Sequence, residues 1–346
     1  MVARDGLDDT LLHSPMEFEP FLRSQVWGGD AFYRLFGKGN SSGLIGESWE
    51  VCGLPQNPSV TTGGALAGQQ LPTLWRDRFT ELVGVEADPG VNGGGTFPLL
   101  VKWLDCRGLL SVQVHPNDAL AAELLNESCG KTEAWVVVEA EPTARIYAGL
   151  KQGVSEAELV KRLRDGTVEE CLHSFVPKVG DCISLPAGTI HAAGGGIVFA
   201  EVQQSSDATF RLFDWNRVGL DGRRRALHQD QALRCLTWPQ NPVNPVTPAS
   251  IPECAGTGGE SLLKTAYFEL DRFRVKDAWR LPYAGEMSIW MVLDGVAVLS
   301  AGATSRILKR GATILLPAGV SDASWAAEDP ENPCQLLAIR LPSVRS

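Results

Sequence analysis

Two histidines, a glutamate and a glutamine sit in this chain where strand geometry could bring them to one point. Gln113 and His115 are two residues apart in the apolar run Leu110–His115, so on an extended chain they project to one face. Glu133 opens a second apolar run in which Trp135 and Val137 lie on its side. His191 shares a face with Thr189 after the turn Leu185-Pro186-Ala187-Gly188. If these strands line one small barrel, their inward faces converge. Two imidazoles, a carboxylate and an amide oxygen suit a divalent metal such as Zn²⁺, with room left for water or substrate. A Gln-x-His step alone is a weak signal, but the chain has only five histidines and two belong to this set.

Charged groups flank the set. Lys131, two residues before Glu133, points along the same face and could hold a phosphate or a developing alkoxide. Glu201 and Gln203 share one face of a strand whose other face is Val198, Ala200 and Val202, and Arg211 lies beyond a polar turn. At the mouth of the same barrel, Glu201 and Arg211 would serve proton transfer and anion binding. The alternative is a solvated salt bridge on a surface hairpin.

The elements that must position these groups are short. Glycine and proline punctuate apolar runs along most of the chain, which favours an all-β plan with helical insertions. Strands are expected at Ser48–Cys52, Leu99–Leu104, Leu110–His115, Ala134–Glu139, Cys182–Leu185 and Ile197–Gln203, and later at Phe268–Phe273, Ser288–Leu293, Ala297–Ala301, Thr313–Leu316 and Gln335–Arg340. Helical segments are expected near 71–84 and over Ser155–Ser174, where Ser155 and Glu158 fit a capping box.

One phrase occurs twice. Lys178-Val179-Gly180-Asp181 leads through Leu185-Pro186-Ala187-Gly188 to His191, and Lys309-Arg310-Gly311-Ala312 leads through Leu316-Pro317-Ala318-Gly319 to Asp322. A repeated fold unit is implied, with the chemistry in the first copy. The Pro- and Asn-rich stretch at 241–260 reads as a linker, giving an N-terminal region with the catalytic barrel over 1–240 and a second barrel over 261–346.

A formal net charge of −10 disfavours nucleic acid and anionic membranes as partners, and no apolar run is long enough to span a bilayer. The basic run Arg223-Arg224-Arg225 reads as a solvated turn. Eight cysteines at irregular spacings, with no Cys-x-x-Cys pair and no signal-peptide pattern, indicate reduced thiols and a cytoplasmic protein.

The residues as a set resemble the short bacterial form of the type I mannose-6-phosphate isomerases, a family of two-cupin zinc enzymes. The resemblance runs from about Phe18 to Leu341 through Gln25-Val26-Trp27-Gly28-Gly29, Gly46-Glu47-Ser48-Trp49-Glu50-Val51, Leu110 to Asn117, Gly130 to Trp135, Leu185 to Ala192, and Glu201 to Arg211. It implies two cupin-type jelly-roll barrels, the second degenerate, and one Zn²⁺ per chain on Gln113, His115, Glu133 and His191. Arg211, Glu201 and Lys131 match catalytic positions, and Ser111, with Lys131 and Arg211, substrate-binding ones. The implied reaction interconverts mannose 6-phosphate and fructose 6-phosphate through a metal-stabilised enediol, in a monomer or homodimer. The alternatives are an Fe-dependent cupin oxygenase and a sugar-binding bicupin without activity. The larger members' helical insertion domain has no counterpart here beyond the short helical segments. Ser288 falls opposite Glu133 and Asp322 opposite His191, so no second metal site is expected.

Overall fold

The structure, a computed structural model, describes residues 11–41, 43–84, 95–252 and 257–342. Cys254 and residues 253–256 of the expected linker lie outside the described residues. The described chain is β-dominated, with four antiparallel sheets in two compact units.

One unit comprises Phe21–Trp49 and Leu99–Val246. Its strands are β1 (Phe21–Gly29), β2 (Ile45–Cys52), β3 (Leu99–Cys106), β4 (Val112–Val114), β5 (Glu133–Ala140), β6 (Arg145–Leu150), β7 (Leu172–Phe175), β8 (Cys182–Leu185), β9 (His191–Gly194), β10 (Ile197–Gln204) and β11 (Phe210–Phe213). They form a six-stranded sheet in the order β1-β2-β3-β10-β5-β8 and a five-stranded sheet in the order β11-β4-β9-β6-β7. The sheets share one apolar cluster: Leu104, Trp135, Val137, Ile183 and Phe199 meet Ile146, Ala148 and Ala193. The outer face of the five-stranded sheet is also apolar. There Val112, Val114, Tyr147, Ala192, Phe210 and Leu212 pack against Leu159 and Leu163 of helix Glu156–Asp165 and Ala232 and Cys235 of helix Gln229–Cys235.

The other unit comprises the described residues of Met1–Pro20, Glu50–Pro98 and Thr247–Ser346. Its strands are β12 (Ala249–Ser250), β13 (Gly258–Lys264), β14 (Glu269–Val275), β15 (Trp279–Arg280), β16 (Ser288–Asp294), β17 (Val296–Ala301), β18 (Thr304–Lys309), β19 (Thr313–Leu316), β20 (Ser324–Ala327) and β21 (Cys334–Arg340). They form a sheet β12-β13-β14-β21-β16-β19 and a sheet β15-β20-β17-β18, packed through Phe273, Trp290, Trp325 and Leu336. The reading from sequence put everything before residue 241 in the first half. In the structure the division of the chain falls near 246, but the stretches before Phe21 and over 50–98 cluster with the later sheets. Met16 exchanges backbone hydrogen bonds with Leu315 at 2.8 and 2.9 Å, an edge contact that no local sequence signal announces.

The eleven expected strands all occur, with ends shifted by up to three residues. The expected helix over Ser155–Ser174 is shorter. Ser155 does cap it, its Oγ accepting the Glu158 N–H at 3.2 Å, but Gly166 in the left-handed region (φ 70°) stops it after Asp165. A 3₁₀ turn (Val168–Cys171) and β7 follow, because Val168, Cys171 and Leu172 bury themselves on the sheet. No helix among the described residues is long and apolar enough to cross a membrane.

Candidate metal centre and cavity

Period-two alternation aims the polar groups. Val112 and Val114 bury outward under the helices, so Gln113 and, one step on, His115 face the space between the sheets. Phe210 and Leu212 do the same for Arg211, and Ala192 for His191. On the opposite sheet Ile197 and Phe199 face inward, and Glu201 has the same parity; Trp135 and Val137 set Glu133, and Leu104 and Cys106 set Lys102. One end of the inter-sheet space is therefore apolar and the other carries the charges.

His115, Glu133 and His191 meet at the polar end, with one ligand-type atom of each within 4.8 Å of the others. His115 Nε2 lies 3.4 Å from Glu133 Oε2, and His191 Nε2 lies 3.3 Å from Glu133 Oε1. Each ring is oriented from behind: His115 Nδ1 donates to the Ala208 carbonyl at 2.7 Å and His191 Nδ1 to the Thr189 carbonyl at 2.9 Å. That fixes the tautomer with both Nε2 lone pairs turned inward. Burial keeps the imidazoles neutral, with His115, beside the Lys131 ammonium, pushed down to about 3 and His191 also lowered. Burial opposes the Glu133 charge, but Lys131, at 3.1 Å, holds the carboxyl well below its ordinary range. His115 Nε2 and both Glu133 carboxylate oxygens are buried and make no hydrogen bond, Oε2 being met only by the Lys131 ion pair. Buried polar atoms are rarely left so, and their chemistry fits a divalent cation. Gln113, cross-strand from His191, brings its amide nitrogen to 3.2 Å from His191 Nε2.

Gly188 secures the turn before His191. Its φ is +88°, it donates to the His115 carbonyl at 2.9 Å, and an added Cβ would lie 2.2 Å from Thr237 Oγ1. Only glycine lets the turn approach that closely.

A cavity of about 260 Å³ opens in front of the cluster, walled by Ser111, Gln113, Lys131, Glu201 and Arg211 among others. Ser111 Oγ lies 3.4 Å from Gln113 Oε1. Glu201 accepts the Trp135 indole N–H at 3.0 Å and pairs with Lys102 at 3.1 Å, while Glu47 lies 3.5 Å from the same ammonium. Burial alone would discharge Lys102, but Glu201 and Glu47 outweigh it and raise its pKa above the usual lysine value. Glu201 is therefore no part of a solvated hairpin; the whole of β10 is buried.

All the residues singled out from the sequence are brought together here, in one unit. Sequence reasoning missed Lys102, Glu47, Asp207 and Arg225, which also line the cavity. A lysine inside the apolar run Leu99–Leu104 was the available signal for Lys102. Nothing local marked Arg225, which leaves the solvated turn proposed for it and reaches the cavity wall.

Comparison with known proteins gives a consistent result. The family model described as phosphomannose isomerase type I, catalytic domain, matches residues 16–134. The mannose-6-phosphate isomerase of Streptococcus mutans is 32% identical over 311 residues, covering 90% of this chain and 94% of that protein. A mannose-6-phosphate isomerase of Bacillus subtilis is 31% identical over 309 residues, covering 89% and 94%. A crystal structure of the mannose 6-phosphate isomerase from Bacillus subtilis superposes with a TM-score of 0.85 at 29% identity, covering 95% of this chain and 100% of that one.

Proposed function

The chain belongs to the type I phosphomannose isomerase family, and from that premise we propose that it interconverts mannose 6-phosphate and fructose 6-phosphate in the cavity between its first two sheets. The observation that carries this reading is the buried His115–Glu133–His191 cluster, in which His115 Nε2 and the Glu133 oxygens make no hydrogen bond, beside a polar cavity walled by its neighbours Gln113 and Lys131. His115, Glu133 and His191, with the Gln113 amide, would hold one divalent metal, and an imidazole-rich donor set favours zinc. Bound there, the metal supplies Lewis-acid polarisation of the sugar oxygens, worth several kcal/mol.

The chain's own groups do the rest. Aldose–ketose exchange moves a proton between C2 and C1 and another between the two oxygens. Glu201, charge-balanced by Lys102, is the group proposed to take the C2 proton and return it to C1. Lys131, between Glu133 and the cavity, is proposed to hold the oxygen-bound proton. Arg211 is proposed to stabilise the negative charge of the enediolate; its guanidinium makes no hydrogen bond or ion pair among the described residues. Ser111 is proposed to orient the substrate beside Gln113.

Each pair of sheets is read as a cupin-type jelly roll, the second stripped of this chemistry. A reducing, cytoplasmic setting is supported by the seven described cysteines, all free. The test is a coupled assay on mannose 6-phosphate before and after chelation, with Zn²⁺ added back. Chelator-sensitive, zinc-restored fructose 6-phosphate formation supports the reading; full turnover by demonstrably metal-free protein contradicts it.

A further inference from the structure

The charges around the cavity are unevenly balanced. At the end near β1 and β2, Arg23 sits 3.1 Å from Asp207 and 3.7 Å from Glu47, and Lys102 lies between Glu47 and Glu201. Every cation there has a carboxylate. At the other end, Arg217 and Arg225 share one carboxylate, Asp214, and Arg211 pairs with none, which leaves a surplus of two positive charges among the described residues.

Asp214 itself is buried and fully used. It accepts from Arg225 Nε at 2.8 Å and Nη2 at 2.5 Å, and from Arg217 Nε at 3.0 Å and Nη2 at 2.8 Å. Arg217 also donates to the Leu109 carbonyl, and the Trp215 indole donates to the Leu110 carbonyl at 2.6 Å, so the loop is pinned to the chain just before Ser111. Arg225, held in a two-pronged grip, reaches the cavity wall beside Arg211 and Ser111. The fields of Arg225 and Arg217, after burial, make the Arg211 charge harder to keep. Such crowding of half-buried guanidiniums is costly unless an anion completes it, and a planar fork matches phosphate oxygens.

We propose that Arg225, fixed by Asp214 beside Arg211, is a guanidinium clamp for the dianionic phosphate of the substrate, and so selects phosphorylated over unphosphorylated sugar. The assignment rests on the sugar-phosphate reading above. Asp214 is a positioning residue in this scheme, and Arg225 a binding one.

The test is calorimetric titration of the metal-loaded protein with inorganic phosphate, alongside steady-state kinetics on mannose 6-phosphate, for the wild type, Arg225→Gln and Arg225→Lys. Loss of a charge-assisted pair of hydrogen bonds should weaken phosphate binding about ten- to a hundredfold in Arg225→Gln. KM should rise comparably, with a smaller change in kcat. Arg225→Lys keeps the charge without the fork and should recover only part of the affinity. Unchanged phosphate affinity and KM in either variant overturns the clamp, and the lysine variant decides if the glutamine one does not fold. Phosphate binding that depends on Arg225 in a protein that isomerises no sugar phosphate would sustain the clamp and sink the isomerase reading. Turnover with both variants indifferent would do the reverse.

Discussion

Glu133 and Ser288 occupy equivalent places in two similarly wound sheets. Glu133 opens β5 and pairs with Leu185 of β8 and Gln203 of β10; Ser288 opens β16 and pairs with Leu316 of β19 and Arg340 of β21. Two residues on, Trp135 donates its indole N–H to Glu201, whereas Trp290 donates to Ser288 itself at 2.9 Å. Around Glu133 the frame leaves ligand atoms without partners. Around Ser288 the buried charges pair with one another, with only Arg340 Nε lacking a hydrogen bond: Arg340 reaches Glu269 at 2.6 Å, Asp271 at 3.1 Å and Glu286 at 3.3 Å, stacks 3.9 Å over the Tyr283 ring, and Tyr283 donates to Asp271 at 2.6 Å. The same framework can thus gather ligand-type atoms of like kind in one copy and pair a cation with carboxylates in the other.

The contrast is broken most severely at Glu133. Glu133→Gln should cost about a thousandfold or more in turnover, since the metal's several kcal/mol are withdrawn, while Ser288→Ala leaves turnover unchanged; coupled assays of both variants check this. Arg340→Met in the later sheets should leave Asp271 a buried charge without a cation, and Glu269 with only the exposed Lys264 at 3.7 Å, and destabilise that unit by about 3–5 kcal/mol. Urea unfolding followed by Trp fluorescence reads that loss, with turnover per folded molecule retained. Within the cavity, Arg211→Lys should lower kcat about ten- to a hundredfold, because an ammonium cannot reproduce the fork against a delocalised enediolate.

The smallest effect concerns Asp105, a carboxylate buried near the end of β3 that accepts the Ala31 N–H at 2.7 Å. Burial raises its pKa to about 6. The folded state therefore binds this proton more tightly than the unfolded chain, and the stability it contributes is lost as pH rises from about 4 through about 6. Asp105→Asn, which can still accept from Ala31, should raise Tm by a few degrees at pH 7.5 and by less at pH 5, as scanning calorimetry would show.

Much of the site was legible in the sequence because it is written in period two. Gln113 and His115, or Glu133 and Trp135, declare a shared face without knowledge of the partner strand. The doubled turn before His191 and Asp322 likewise showed which copy kept its histidine. What escaped depended on long-range pairing. Lys102 acquires its role only because β3 lies beside β10, bringing Glu201 opposite it in register. Arg225 reaches the cavity only because Asp214, eleven residues away, holds it there. The edge pairing of Met16 with Leu315, between residues about 300 positions apart, is of the same kind. Residues that act alone along a strand can be read locally; residues that act as charge partners across strands cannot.

The most direct measurement is metal content per chain, by elemental analysis, of the wild type, Glu133→Gln and Ser288→Ala, each paired with turnover of mannose 6-phosphate. The account predicts one divalent metal and full activity in the wild type and in Ser288→Ala, and loss of both in a folded Glu133→Gln. Metal retained at full stoichiometry in Glu133→Gln, or turnover persisting there without metal, would contradict it.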